Sequence, residues 1–294
     1  MELQAFGLIN WLVLGAYLCA NIVLGFVLSK KVTTADDFFV GQRNIPWWAI
    51  GISVVATYVS ALSFLGGPAW AYTEGLSVIA IHLNYPLVIF IVVAFFLPFF
   101  FNSGVASIYE YLEKRFGPTS RSLIAAIFLV SQTLTSAAVL YATALVLEFI
   151  TGMPVIYAII IITLIALIYT IMGGLAAVIW TDVIQALILL VGALIITVSL
   201  INNLSLPLGE TLEILKSEGK TNPLNFSFDT TQVSTVWTGV IAMTLFHITV
   251  YGANQMMVQR TLASKNIGDA KKSFLMMGYF AILIYFLFFL LGIL

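Results

Sequence analysis

Two stretches of this chain carry hydroxyl, amide and imidazole groups inside otherwise apolar runs, and their chemistry suits ligand binding better than covalent catalysis. The first reads Thr57-Tyr58-Val59-Ser60-Ala61-Leu62-Ser63-Phe64 and continues to Gly66-Gly67-Pro68. The second holds His247, Thr249, Tyr251-Gly252-Ala253-Asn254-Gln255 and Gln259. Glycine and proline weaken a helix where they stand, and carbonyls freed at such a break can meet a cation or a polar solute. Two further groups stand alone in apolar surroundings: His82, beside Asn84 and Tyr85, and Asp182, after Trp180-Thr181. The sequence offers no nucleophile–base pair, HExxH zinc motif or phosphate loop, and neither histidine has a carboxylate neighbour in sequence. An enzyme is therefore disfavoured.

The elements that must position these groups follow from composition. Of 294 residues, 61% are hydrophobic and 9% charged, against about 25% charged in a soluble domain. A span needs about 20 mostly apolar residues to cross a hydrocarbon core. Such runs fall near 5–29, 47–73, 76–101, 121–150, 154–173, 177–201, 235–258 and 273–294. The short alternating segments of a barrel are absent, so the expected class is an all-α polytopic membrane protein. Within it both polar clusters lie at mid-membrane depth, where polar groups are costly unless they face protein or water. Taken singly, each Gly, Ser or Thr is explained as well by close helix packing. Two whole clusters are harder to explain that way.

Charge gives the orientation. With the N-terminus outside, the inside segments hold Lys30, Lys31, Arg43, Lys114, Arg115, Arg121, Arg260, Lys265, Lys271 and Lys272, which is ten of the twelve basic residues. Lys216 and Lys220 fall in the polar segment 202–234, outside, with weak glycosylation sequons at Asn203 and Asn225. This is the positive-inside pattern. The first run lacks a basic residue before it and so does not read as a cleaved signal peptide. A net charge of −1 argues against a nucleic-acid partner. The single Cys19 excludes an internal disulfide or a cysteine metal cluster.

The organisation is one membrane domain, 1–294, with Ser107–Arg115 expected as an amphipathic helix on the inner surface. The two clusters sit in the second and seventh spans, so they open successive sets of five. Inverted-repeat transporters place broken helices at corresponding positions of each half. The expectation is a five-plus-five core: an extra helix at 5–29, a first repeat at 47–201, an extracellular segment at 202–234 and two helices of a second repeat at 235–294. Leu294 falls inside an apolar run without a polar anchor, which points to a part of a longer protein.

Particular stretches resemble the sodium:solute symporter family. They are Thr34-Ala35-Asp36-Asp37-Phe38-Phe39, the run IYEYLEKRF from Ile108 to Phe116, YTIMGGLAAVIWTD from Tyr169 to Asp182, and YGANQMMVQRTL from Tyr251 to Leu262. The similarity covers essentially the whole chain. The resemblance implies a LeuT-type inverted-repeat core with one extra N-terminal helix, truncated in the second repeat, that lacks the serine-rich helix completing the sodium sites. Its implied function is secondary active transport, with sodium as coupling ion and a small organic solute or anion as cargo. A symporter-like sensor domain of a signalling protein stands as the alternative.

The resemblance places one sodium at the break of span two, with backbone carbonyls of Ala56 and Val59 as ligands. Oxygen donors suit this hard cation. Asp182 has two readings: a second cation site or proton relay, as in some relatives, or a carboxylate stabilised at a helix N-terminus. Candidate solute contacts are Tyr58, Ser60, Ser63, His82, Tyr85, Thr135, Asn254 and Gln255. Of these, Asn254 and Gln255 match the family pattern. His82 reads equally as a hydrogen-bonded core histidine. Sugar transporters of the family place an acid where His82 stands, a glutamine at Ser63 and an aromatic gate at Met256 or Met257. Sialic-acid transporters carry arginine at Thr135. Both substrates are thus disfavoured, and the texture of Val139 to Gly152 is closer to carriers of monocarboxylates, vitamins and inorganic anions.

Overall fold

Helices form where the apolar runs lie, because a backbone that cannot reach water must satisfy its amides and carbonyls within the segment. The computed structural model describes residues 6–30, 32–105, 107–229 and 231–294, the side chains of Asp36 and Gln42 excepted. Helix α1, Leu8–Ser29, follows the first apolar run, whose expected start at residue 5 lies outside the described residues, as does Lys31. A short helix α2, Ala35–Val40, comes next, and its start is set by a reciprocal cap. Thr34 Oγ1 accepts from the Asp37 amide, and the Asp37 carboxylate accepts from the Thr33 and Thr34 amides and the Thr33 hydroxyl at 2.8–3.0 Å. These bonds, led by the Thr33 hydroxyl, hold Asp37 below the ordinary carboxylate range.

The second span is two helices, α3 (Trp47–Tyr58) and α4 (Ala61–Glu74). A 3-10 segment, Gly75–His82, leads into α5 (Tyr85–Ile91), a π turn (Val92–Phe96) and α6 (Leu97–Ser103), which together make up the third span. Helix α7, Ile108–Phe116, lies where the amphipathic surface helix is expected and is capped by Ser107, whose hydroxyl accepts from the Glu110 amide at 3.1 Å. Helix α8 covers Pro118–Thr151.

Helix α9 runs from Val155 to Asn202 and contains both the fifth and sixth expected spans. They separate at Gly174, whose φ of 57° and ψ of −152° are non-helical. A Cβ there would lie 2.6 Å from the Phe38 carbonyl oxygen, so both the dihedral and the space demand glycine. The segment 202–234, read from sequence as a long polar connection, contains a helix, α10 (Leu208–Ser217), on which Leu215 is buried.

The seventh span is again interrupted. A π turn (Thr238–Ala242), α11 (Met243–Ile248) and a second π turn (Thr249–Ala253) precede α12 (Gln255–Leu262). Helix α13, Ile267–Ile293, completes the chain. It forms the centre of the core, packing on α3, α4 and α9 through Phe274, Met277, Ala281, Ile284 and Phe288. Gly51 permits the α3 contact, since a Cβ there would stand 2.7 Å from the Ser273 carbonyl oxygen. Lipid is as apolar as leucine, so such contacts are held by close packing more than by exclusion of water. The outward faces of α8 and α9 carry exposed Leu129, Leu134, Ile171 and Ile195.

Candidate functional site between the two helix breaks

The break in span two falls at Val59 and Ser60, whose φ/ψ of −79°/110° and −112°/176° are extended. A helix end leaves its last carbonyls without intrahelical partners. Val59 still donates to the Val55 carbonyl at 2.8 Å, but the Ser60 amide turns instead to the Ser63 hydroxyl at 3.3 Å. The Ala56 carbonyl therefore loses the amide that would have occupied it. On the far side, the Ser60 carbonyl accepts from the Ser63 and Phe64 amides at 3.0 and 3.1 Å and starts α4. The oxygens at Ala56 and Val59 match a hard cation in donor type, and family resemblance alone selects sodium among such ions.

The break in span seven falls at Asn254, also extended at −81°/129°. Its side chain accepts from the Met256 amide at 2.9 Å and so begins α12. The two breaks are linked by side chains from the helix segments beside them. Tyr58 Oη lies 3.3 Å from His247 Nε2, and the Asn84 side-chain amide meets His247 Nδ1 at 2.9 Å through its nitrogen. The Asn84 amide oxygen also lies within reach, 3.1 Å from Nδ1, so this contact is compatible with either tautomer of His247. Tyr85 Oη lies 3.3 Å from Tyr251 Oη, and the Tyr85 ring stacks on His247 at 5.0 Å.

His82 joins this cluster. Its ring stacks on Tyr285 at 3.8 Å and on Tyr85 at 5.3 Å, and it is 4% exposed. Its Nδ1 is buried without a hydrogen-bond partner among the described residues. A buried polar nitrogen left unpaired costs about 1–3 kcal/mol, so this atom is one that a polar ligand can satisfy. Tyr58, His82 and Tyr85 are thus brought together, with Ser60 and Ser63 at the adjoining break. Thr135 is not brought to them: it is exposed on α8, and its hydroxyl donates to the Ser131 carbonyl at 2.9 Å. Gln255 is also engaged elsewhere, its Oε1 accepting from the Ile108 amide at 3.0 Å.

Asp182 forms a second polar centre beside α3. Its Oδ2 accepts from the Ser53 hydroxyl at 2.6 Å and from Arg260 Nη2 at 3.1 Å. Arg260 also donates through Nε to Ser53 Oγ at 3.0 Å and through Nη1 to the Met256 carbonyl at 3.1 Å. The pair is largely enclosed, with side-chain exposures of 10% for Arg260 and 15% for Asp182. Among the described residues no group of three or more His, Cys, Asp or Glu could hold a metal.

Sequence reasoning did not single out Tyr285, Ser53 or Arg260 as site residues. Tyr285 sits in an apolar run, where an aromatic is ordinary. Arg260 did carry a signal, being a basic residue immediately after Gln259 of the polar cluster of span seven, but the positive-inside rule absorbed it.

Comparison with known proteins agrees with this architecture. The family model described as the sodium:solute symporter family matches residues 38–294. The chain is 34% identical over 298 residues to the sodium/sialic acid symporter of Proteus mirabilis, covering 99% of this chain and 59% of that protein. It is 30% identical over 289 residues to sodium-coupled monocarboxylate transporter 2 of Bos taurus, covering 97% of this chain and 47% of the relative. A solved structure, the substrate-bound outward-open state of a Na+-coupled sialic acid symporter, superimposes with a TM-score of 0.90 at 33% identity, over 98% of this chain and 61% of that one. The chain therefore spans about half the length of the curated relatives it matches. Its two interrupted helices, its apolar spans and the family match together make this chain a multi-pass membrane protein that belongs to the sodium:solute symporter family.

Proposed function

We propose that the protein to which this chain belongs is a secondary active transporter, driving uptake of a small organic solute or anion with the inward sodium gradient by alternating access. The observation that carries this reading is the pairing of two helix breaks, at Val59-Ser60 and at Asn254, across the cluster of Tyr58, His82, Tyr85 and His247. Breaks at matching places of two repeats, with polar groups between them, form a midplane site that can open to either side. Sodium would be held at the carbonyls of Ala56 and Val59. Asp182 supplies a carboxylate for a second cation, or else serves only as the partner of Arg260.

The solute would meet Tyr58, Ser60, Ser63, His82 and Tyr85, with Asn254 at the far break. These groups offer hydroxyl and imidazole hydrogen bonds but no fixed positive charge. Relatives include a sialic acid symporter, yet Thr135 stands where the resemblance expects arginine for that substrate. A small monocarboxylate-like or neutral solute fits this donor set better than a hexose or sialic acid. The proposed orientation places the N-terminus outside and Lys114, Arg260 and Lys271 inside, in a plasma or inner membrane. Uptake of a panel of labelled solutes into proteoliposomes, with and without a sodium gradient, is the test. Accumulation that a proton gradient supports equally well without sodium would overturn the coupling, and absence of accumulation for every small solute would overturn the carrier reading.

A further inference from the structure

Helix α12 is only eight residues long and is set off from the rest of span seven by an extended residue and a π turn. Its polar residues reach three separate parts of the molecule. Gln255 Oε1 accepts from the amide of Ile108, the first residue of α7, at 3.0 Å. Gln259 Nε2 donates to the carbonyl of Phe39, in the last turn of α2, at 2.7 Å. Arg260 reaches Ser53 on α3 and Asp182 on α9. The first amides and last carbonyls of a helix have no partner within it, and each glutamine satisfies one such group. The partners are a backbone N–H and a backbone C=O, so the orientation of each amide is fixed: Gln255 must accept and Gln259 must donate.

We infer that Gln255 and Gln259 are latch residues, which hold the inner half of span seven against α7 and α2 and must release before the inner path of the carrier opens. This rests on the transport reading but assigns Gln255 to positioning rather than to solute contact. The inner end of α12 is seated too: Ser264 pairs with Ile45 in an isolated bridge and is 1% exposed. Its hydroxyl is buried without a hydrogen-bond partner, so Ser264→Cys is a near-isosteric reporter that removes no bond. Opening of α12 uncovers it.

The test uses the full-length protein, with exposed Cys19 and every other native cysteine replaced by serine and Ser264→Cys added. Solubilised in detergent, both faces are accessible to a polar thiol reagent. The modification rate is proportional to the minor open population, so it rises by the same factor as that population. Losing one net hydrogen bond changes that population by roughly two- to tenfold. Gln255→Ala and Gln259→Ala are each expected to speed modification by that factor. The glutamate variants separate latch from packing. A carboxylate cannot donate but still accepts, so Gln255→Glu should keep the parental rate. Gln259→Glu places a carboxylate against the Phe39 carbonyl and should match or exceed Gln259→Ala. Equal behaviour of the two glutamate variants would overturn the latch. So would parental modification rates in both alanine variants, or a change in solute affinity by Gln255→Ala with modification unchanged. Failure of the parent to transport any solute would instead sink the carrier reading, since modification is measured without transport.

Discussion

Removing Arg260 leaves the Asp182 carboxylate enclosed without its cationic partner, while the Ser53 hydroxyl still donates to it. With side-chain exposures of 10% and 15%, the two groups gain little from water, and breaking such a pair from one side costs about 3–5 kcal/mol. That is roughly a hundredfold to several thousandfold change in an unfolding constant. Arg260→Met keeps the aliphatic stem and removes the charge, so lost packing contributes little. In the double variant Asp182→Asn/Arg260→Met both charges are gone and the asparagine can still accept from Ser53. Most of the loss should then return, because removing a buried pair together is far less costly than orphaning one member. The assay is equilibrium denaturation of the solubilised protein followed by tryptophan fluorescence, as a double-mutant cycle. Arg260→Met losing less than about 1 kcal/mol, or a double variant whose loss equals the sum of the singles, would refute the argument that these charges stabilise each other. Sodium dependence adds a separate reading. If Asp182 is also a cation ligand, freeing it from the guanidinium strengthens apparent sodium affinity, whereas Asp182→Asn weakens it; unchanged sodium dependence in both leaves Asp182 a structural partner of Arg260.

His82→Ala should raise the apparent solute constant about tenfold to a hundredfold while sodium affinity stays nearly intact, read from uptake in a normally expressed variant; unchanged affinity for every transported solute returns His82 to the aromatic packing it makes with Tyr285. Gly174→Ala should lower the thermal midpoint and expression, since alanine at φ 57° costs on the order of 1–3 kcal/mol and its methyl meets the Phe38 carbonyl; a parental midpoint would show that the turn between the fifth and sixth spans relaxes freely. Cysteines introduced singly at Lys114 and Lys216, in a background lacking Cys19, should label from opposite faces of the membrane, and labelling from one face would overturn the proposed topology.

Much of this molecule is legible from its amino acids because the bilayer permits so few solutions. An apolar run of span length must be helical to satisfy its own backbone, which located the helices, and the clusters at Thr57–Pro68 and His247–Gln259 marked where two of them break. The amphipathic helix expected at Ser107–Arg115 appears as α7, and the caps at Ser107 and at Thr34 with Asp37, which depend on neighbours three residues away, are local chemistry that was not read in advance. Helix α10 was missed because its apolar residues matter only once Leu215 has a seat to fill.

What sequence could not settle is which polar groups meet, since that depends on contacts between residues far apart in the chain. Gln255 and Asn254 share one motif, yet one binds the backbone of α7 and the other caps its own helix. Thr135 and Tyr58 were equal candidates from sequence, but in the structure the first bonds the Ser131 carbonyl of its own helix and the second meets His247. Asp182 read as a solitary acid because its arginine lies 78 positions away. A hydrogen bond forms only over about 3 Å, so its partners are decided by how the helices pack, and hydropathy, which fixes where helices run, carries no information at that distance.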